Sequence, residues 1–351
     1  MEKITLLLVS LLLVTVSCQP APTSAQPTPT VVPPTSTPAL VSPTPTAASN
    51  VNAILTLTAP KPKSSGLGAL PQATIHVGYL DRTFSYYVPA NLPRNAPLLF
   101  AFHGDHMNAE LMRDATGYEF ETLADRNGFI IVYPNGYQTD WNDCRKGVMF
   151  LAKKENIDDV AFVRALIARF HADYGTNTSQ VFAMGYSNGA HLTYRLALEL
   201  ADEITAIATV AANLPTDDDL DCRASGKPIP VLIMNGTSDV LNPYNGGIGN
   251  YGTNLRSAQG SAEYFAKVNG QLDPPKTTRL PHPNAADLNF VERTVWNIAG
   301  KPEVVLDTIN GGGHLMPKTN VLAPSYLPRT VGDLDGPTEI WDFFSRQRSL
   351  K

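Results

Sequence analysis

Short apolar runs of strand length alternate with longer stretches of helical spacing along most of this chain. The runs predict strands at Ile75–Val77, Phe84–Val88, Leu98–Phe102, Phe129–Tyr133, Val181–Met184, Ala206–Val210, Val231–Met234 and Val304–Ile309. Helical spacing predicts helices at Glu119–Arg126, Asp159–Tyr174, Asn188–Leu200, Ala258–Val268 and Thr338–Arg346. In the second of these, Val160, Val163, Ile167 and Phe170 form a buried stripe, and Asp158 and Asp159 stand at the positive N-terminal end, where capping is their expected role. Strand and helix alternation predicts an α/β domain with a mainly parallel central sheet and helices on both faces.

The first 65 residues carry a different pattern. Ile4 to Val16 is apolar but well short of the ~20 residues of a spanning helix, so residues 1–18 read as a secretory signal. Ser17-Cys18 follows directly, which makes Cys18 a candidate lipidation site of a bacterial-type lipoprotein, with plain secretion as the alternative. Residues 19–65 are rich in Pro, Thr, Ser and Ala, with no charged residue between Ile4 and Pro60. Such a segment cannot bury a core and is expected to be a disordered linker. Residues 66–351 remain as one large domain.

Composition narrows the partners. The 351 residues are 43% hydrophobic and 17% charged, with a net charge of -5. That balance argues against a nucleic-acid partner and offers no basic face to an anionic membrane, leaving the N-terminal lipid as the expected membrane contact. A monomer is expected. With Cys18 assigned to the signal, Cys144 and Cys222 form an even pair in an oxidising compartment, and a disulfide between them is expected, two free thiols being the alternative. No Cys/His spacing resembles a zinc site, so neither metal nor cofactor is expected.

Candidate chemistry centres on Gly185-Tyr186-Ser187-Asn188-Gly189, set between an apolar strand and a helix. A serine between glycines at a strand-to-helix turn is the setting of a nucleophile elbow, with helix amides aimed at a developing oxyanion. Asp239 lies just beyond the strand Val231–Met234 and is the candidate acid, an Asx-turn residue being the alternative reading. His314 follows Gly311-Gly312-Gly313 after another strand, where a glycine loop lets an imidazole reach back over the sheet. Ser187, Asp239 and His314 thus occur in the order nucleophile, acid, base. Phe102-His103-Gly104-Asp105 follows an early strand, so backbone N–H groups of Gly104, Asp105 and Asn188 are the candidate oxyanion donors. Trp141, Tyr186 and Leu315 are candidate pocket residues. His191, one helical turn after Ser187, is expected to pack beneath the elbow. The acids Asp217, Asp218, Asp219 and Asp221 read as a solvated loop. Gly247-Ile-Gly249-Asn-Tyr-Gly252 matches a dinucleotide fingerprint by letter, but it follows a turn and no βαβ unit surrounds it.

Further pieces are Arg82-Thr-Phe-Ser-Tyr-Tyr-Val-Pro89, Val132-Tyr-Pro-Asn-Gly136, Trp141-Asn142, Ile157-Asp-Asp-Val-Ala-Phe162, Pro243-Tyr-Asn-Gly-Gly247 and Ile340-Trp-Asp-Phe-Phe344. Together with the serine, acid and histidine motifs, in this order from about Gly66 onward, the chain resembles carbohydrate esterase family 1. That family holds secreted feruloyl esterases and polyhydroxybutyrate-depolymerase-like esterases. The resemblance implies an α/β-hydrolase fold and ester hydrolysis by a Ser187–His314–Asp239 triad. The implied substrates are feruloyl or acetyl esters of a plant polysaccharide such as xylan, or a short polyester. The chain departs from the family in reading Gly313-His-Leu-Met-Pro317 where a Trp usually follows the His, in placing Asp105 after His-Gly, and in carrying Cys144 without a close second Cys. A carboxylate beside an oxyanion site opposes the developing charge unless it points away. Peptide cleavage by the same triad and an inactive binding lipoprotein are the other readings.

Overall fold

The computed structural model describes residues 68–283, 287–317 and 332–347. The expected signal at 1–18, with Cys18, and the linker at 19–65 lie outside the described residues. The chain begins with β1 (Gln72–Val77), β2 (Leu80–Tyr87), β3 (Leu98–Phe102), α1 (Ala109–Ala115), α2 (Glu119–Asn127) and β4 (Ile130–Pro134). It continues with α3 (Leu151–Lys154), α4 (Asp159–Tyr174), β5 (Val181–Tyr186), α5 (Asn188–Glu199), β6 (Ala206–Val210) and β7 (Val231–Gly236). A small hairpin, β8 (Gly247–Ile248) and β9 (Asn254–Leu255), precedes α6 (Ala258–Val268). Then come β10 (Lys276–Arg279), β11 (Phe290–Trp296), β12 (Val304–Asn310) and α7 (Gly336–Arg346).

Ten of the strands form one sheet in the order β1-β2-β4-β3-β5-β6-β7-β12-β11-β10. The six strands from β4 to β12 pair in parallel, while β1, β2, β10 and β11 add antiparallel edges. The central strands are apolar on both faces, as a sheet covered on both sides requires. In β3, Leu98, Phe100 and Phe102 join one core cluster, while Leu99 and Ala101 join the other. In β5 the same period of two divides Val181 and Ala183 from Phe182 and Met184. Phe162 and Val163 of α4, Leu192 and Tyr194 of α5, and Phe265 of α6 fill the first cluster. Met112 of α1, Phe120 of α2, and Trp341 and Phe344 of α7 fill the second. Burying each such large side chain contributes about 1.5–3 kcal/mol. Among the described residues no helix is long and apolar enough to cross a membrane.

Local chemistry explains the helix ends and corrects one expectation. Asp158 caps α4, its side chain accepting from the Ala161 N–H, and Gly175 closes the helix in the left-handed region at φ 65°. Asp159 is instead fully buried: Oδ1 accepts from Arg82 Nη2 at 2.8 Å and Oδ2 from the Asn142 N–H at 2.7 Å. It anchors the segment that leads from β4 toward the site. The helix α7 starts at Gly336, two residues before the expected Thr338, because Asp335 caps it and Pro337 suits its first turn.

Candidate active site

The strand β5 ends at Tyr186, α5 begins at Asn188, and Ser187 between them is held at φ 53°, ψ -117°. That backbone is strained for a side chain other than Gly by about 1–3 kcal/mol, and it lifts the serine hydroxyl out of the turn. The flanking glycines are steric necessities. A Cβ on Gly185 would stand 2.2 Å from the Gly189 carbonyl oxygen, and one on Gly189 would stand 2.2 Å from that of Phe102 and 2.4 Å from that of His103.

Asp239 and His314 reach Ser187 from two neighbouring strand ends. Beyond β7, the Thr237 N–H donates to the Ile309 carbonyl and the Ser238 N–H to the Gly312 carbonyl. The Gly311 N–H, at φ 78°, donates back to Thr237 Oγ1 at 2.9 Å. Gly236 has no room for a Cβ, since the Gly312 carbonyl oxygen would lie 2.3 Å from it. The two loops are therefore laced together, and they present Asp239 and His314 side by side. His314 Nδ1 lies 2.8 Å from Asp239 Oδ2, and His314 Nε2 lies 2.9 Å from Ser187 Oγ. Asp239 is 6% exposed, and its Oδ1 accepts from the N–H groups of Leu241 (2.9 Å) and Asn242 (2.8 Å). The Asx turn and the histidine contact are thus two uses of one carboxylate. The Tyr186 hydroxyl donates to the His314 carbonyl at 2.8 Å and steadies the loop from the elbow side.

The loop after β3 is held by His103. Its Nε2 accepts from the Gly136 N–H (2.9 Å), so its Nδ1 carries the proton and donates to the Gly104 carbonyl (2.7 Å). Burial drives the His103 pKa down to about 4, so the ring is neutral at pH 7. With the Gly104 carbonyl drawn toward that ring, the Asp105 N–H of the same trans peptide faces the opposite way. The Asn188 side chain clamps a third segment: Oδ1 accepts from the Trp141 N–H (2.9 Å) and Nδ2 donates to Asp143 Oδ2 (2.7 Å). Asp143 pairs in turn with Arg145 at 2.6 Å. Burial opposes ionisation of Asp143, but Arg145 outweighs it and holds the carboxyl below its ordinary value. The Cys144–Cys222 disulfide, with Cα atoms 5.0 Å apart, ties this segment to the acidic loop. That loop is solvated as expected: Asp217, Asp218 and Asp221 are exposed, with surface pairs from Asp217 to Arg256 and from Asp221 to Lys153, while half-buried Asp219 accepts from the Asn254 N–H.

A cleft of about 210 Å³ opens over Ser187 and His314. Of the expected pocket residues, Tyr186 borders it and two do not. Trp141 is fully buried behind the His103 loop, where Nε1 donates to the His103 carbonyl at 2.9 Å. The Leu315 N–H closes a tight turn onto the Gly313 carbonyl, and Leu241 and Leu255 supply the apolar wall in its place. Arg145, Asn250 and Tyr251 complete the rim. Tyr251 sits at the tip of the β8–β9 hairpin, inside the segment that imitates a dinucleotide fingerprint. No local signal marks these residues, because the cleft gathers them from loops far apart in sequence. His191 is buried as expected, yet it also borders the cleft, and neither ring nitrogen has a hydrogen-bond partner. Burial holds it far below the usual histidine range, so it is neutral.

Asp105 Oδ2 accepts from the Tyr251 hydroxyl, so its carboxylate is turned toward the hairpin. Asp140 stands beside it, and burial followed by the adjacent Asp105 pushes the Asp140 pKa up to about 7.

No protein-family model matches the chain. It is 28% identical over 269 residues to a protein named as the esterase NocK from Nocardia uniformis subsp. tsuyamanensis, covering 72% of this chain and 76% of that protein. It is 28% identical over 306 residues to a protein named as a feruloyl esterase C from Aspergillus clavatus, covering 84% of this chain and 96% of that one. Among solved structures, an acetyl xylan esterase from Aspergillus awamori superimposes with a TM-score of 0.50 at 20% identity, covering 71% of this chain and 95% of that one. Parallel at its centre and bent into an elbow after β5, the chain has the α/β-hydrolase fold, and its relatives are named esterases.

Proposed function

We propose that this protein is an extracellular serine carboxylesterase that hydrolyses feruloyl or acetyl esters carried by a plant polysaccharide. The observation that carries the reading is the continuous hydrogen-bonded path from Asp239 through His314 to Ser187, opening into a cleft. His314 Nε2 takes the Ser187 hydroxyl proton as the oxygen attacks the ester carbonyl, while ionised Asp239 stabilises the imidazolium. The N–H groups of Asn188 and Asp105 receive the oxyanion, fixed beforehand by the start of α5 and by the His103–Gly104 bond. Collapse of the tetrahedral adduct expels the alcohol, which takes the proton from His314. Water then adds to the acyl-enzyme by the same path, giving the carboxylic acid and free serine. The polysaccharide substrate is supported by the names of the feruloyl esterase and acetyl xylan esterase relatives from Aspergillus, and the extracellular setting by the disulfide.

The test is hydrolysis of p-nitrophenyl acetate, methyl ferulate and acetylated xylan by the wild type and by Ser187→Ala. We expect turnover of at least one ester and a loss of about 10⁴-fold or more in the variant. Equal inertness of both proteins on all three substrates overturns the reading.

A further inference from the structure

We propose that Asp105, His106 and Asp140 form a binding site for one divalent cation of the Zn²⁺ or Mn²⁺ class, beside the oxyanion loop. Asp105 Oδ1 lies 3.5 Å from His106 Nε2, and one ligand atom from each of the three residues lies within 4.8 Å of the others. Ligands of one tetrahedral ion with bonds of about 2.0–2.2 Å stand roughly 3.4 Å apart, so small side-chain rotations bring the three onto a common centre.

The independent observation is Asp140. It is only 6% exposed, and its Oδ1 is buried without a hydrogen-bond partner, as is Asp105 Oδ1. A buried carboxylate oxygen without a donor is costly, and two of them facing one another are more so. Two of the neighbouring donors are already engaged. The Tyr251 hydroxyl serves Asp105 Oδ2, and the Arg145 guanidinium is committed to Asp143 through Nε and Nη2. A divalent ion satisfies both orphaned oxygens in one step.

Donor chemistry selects the class of ion. Two carboxylate oxygens and one imidazole nitrogen suit Zn²⁺ or Mn²⁺, whereas Ca²⁺ and Mg²⁺ take oxygen donors. The His106 side chain is 78% exposed, so the ion enters from solvent and keeps water at its remaining positions. Its consequence for catalysis rests on the esterase reading. The ion fixes the residue whose N–H receives the oxyanion and cancels the carboxylate charge that would oppose it.

The decisive experiment is calorimetric titration of the chelator-stripped full chain with ZnCl₂ and with MnCl₂, alongside His106→Ala and Asp140→Asn. Circular dichroism accompanies each variant to report folding. We expect one saturable site per chain in the wild type, with affinity lowered at least about tenfold in each folded variant. His106 is exposed, so its variant keeps the test informative if Asp140→Asn does not fold. Absence of saturable binding by either ion overturns the proposal, as does equal affinity in wild type and His106→Ala. Saturable, variant-sensitive binding in a protein that hydrolyses no ester upholds the cation site while the esterase reading falls.

Discussion

Asp239→Asn isolates what the acid does, because the amide has the same shape as the carboxylate and the surroundings dictate how it must sit. Asp239 Oδ1 accepts two backbone N–H groups, from Leu241 and Asn242. An asparagine must keep its carbonyl oxygen there, since turning the NH₂ toward two donors would leave all of them unpaired. The NH₂ group then faces His314 Nδ1, which must accept. The imidazole proton moves to Nε2, the atom that lies 2.9 Å from Ser187 Oγ and has to take its proton. The base is thereby held in the wrong tautomer with the geometry intact. A loss of about 10⁴-fold in kcat corresponds to about 5.5 kcal/mol of transition-state stabilisation. The assay is p-nitrophenyl acetate turnover at pH 8, with urea unfolding run in parallel. Stability is expected to stay within about 1 kcal/mol of wild type, because both backbone bonds persist. A fall in kcat below about 30-fold in a fully folded variant would refute the tautomer argument.

Three other outcomes follow from the same geometry. His103 is titrated at about 4 in the folded chain and near 6.5 when unfolded, so below pH 6.5 the unfolded state binds the proton first. Stability is therefore full above that pH and falls toward pH 4, by about 2 kcal/mol between pH 7 and 5 from this residue alone; urea midpoints that do not move across that window contradict it. Replacing Cys144 and Cys222 by Ser opens a loop of 78 residues and is expected to cost about 4 kcal/mol, read by thermal or urea unfolding; a loss under about 1 kcal/mol would mean that the segment bearing Asp143 and Arg145 is held by other contacts. Gly189→Ala drives a methyl into two backbone carbonyls and is expected to destabilise by at least about 3 kcal/mol, whereas Gly147→Ala, with open space around it, should change stability by less than about 0.5 kcal/mol.

What was readable in the sequence follows how local each signal is. The segments β3, β6, α4 and α6 match their expected bounds, because unbroken apolar runs and a clean 3-4-3 stripe leave little choice. The strands β10 and β11 carry no such signal. Lys276–Arg279 is exposed throughout, and β11 holds Glu292 and Arg293 in its middle, the latter compensated by Asp307 on the neighbouring strand and Glu339 on α7. Short α1 is likewise too brief to show a period. The site divides in the same way. Serine, acid and base each sit at a strand end with turn residues around them, and the structure brings all three within hydrogen-bond reach. The rim does not read, since partners such as Asp105 and Tyr251 are 146 positions apart and meet only through the folded loops.

The lacing of the loops after β7 and β12 has a dynamic consequence. Acid and base are joined to each other by three hydrogen bonds outside their own side chains, whereas the serine belongs to a separate turn. A fluctuation that lifts the glycine segment carries Asp239 and His314 as one piece, and it must part both the contact to Ser187 and the Tyr186 hydroxyl's bond to the His314 carbonyl. Resting molecules would then cycle between an armed and a disarmed register without the imidazole ever losing its counter-charge. Re-arming needs only a rigid return of that piece, with no side chain to find its rotamer again.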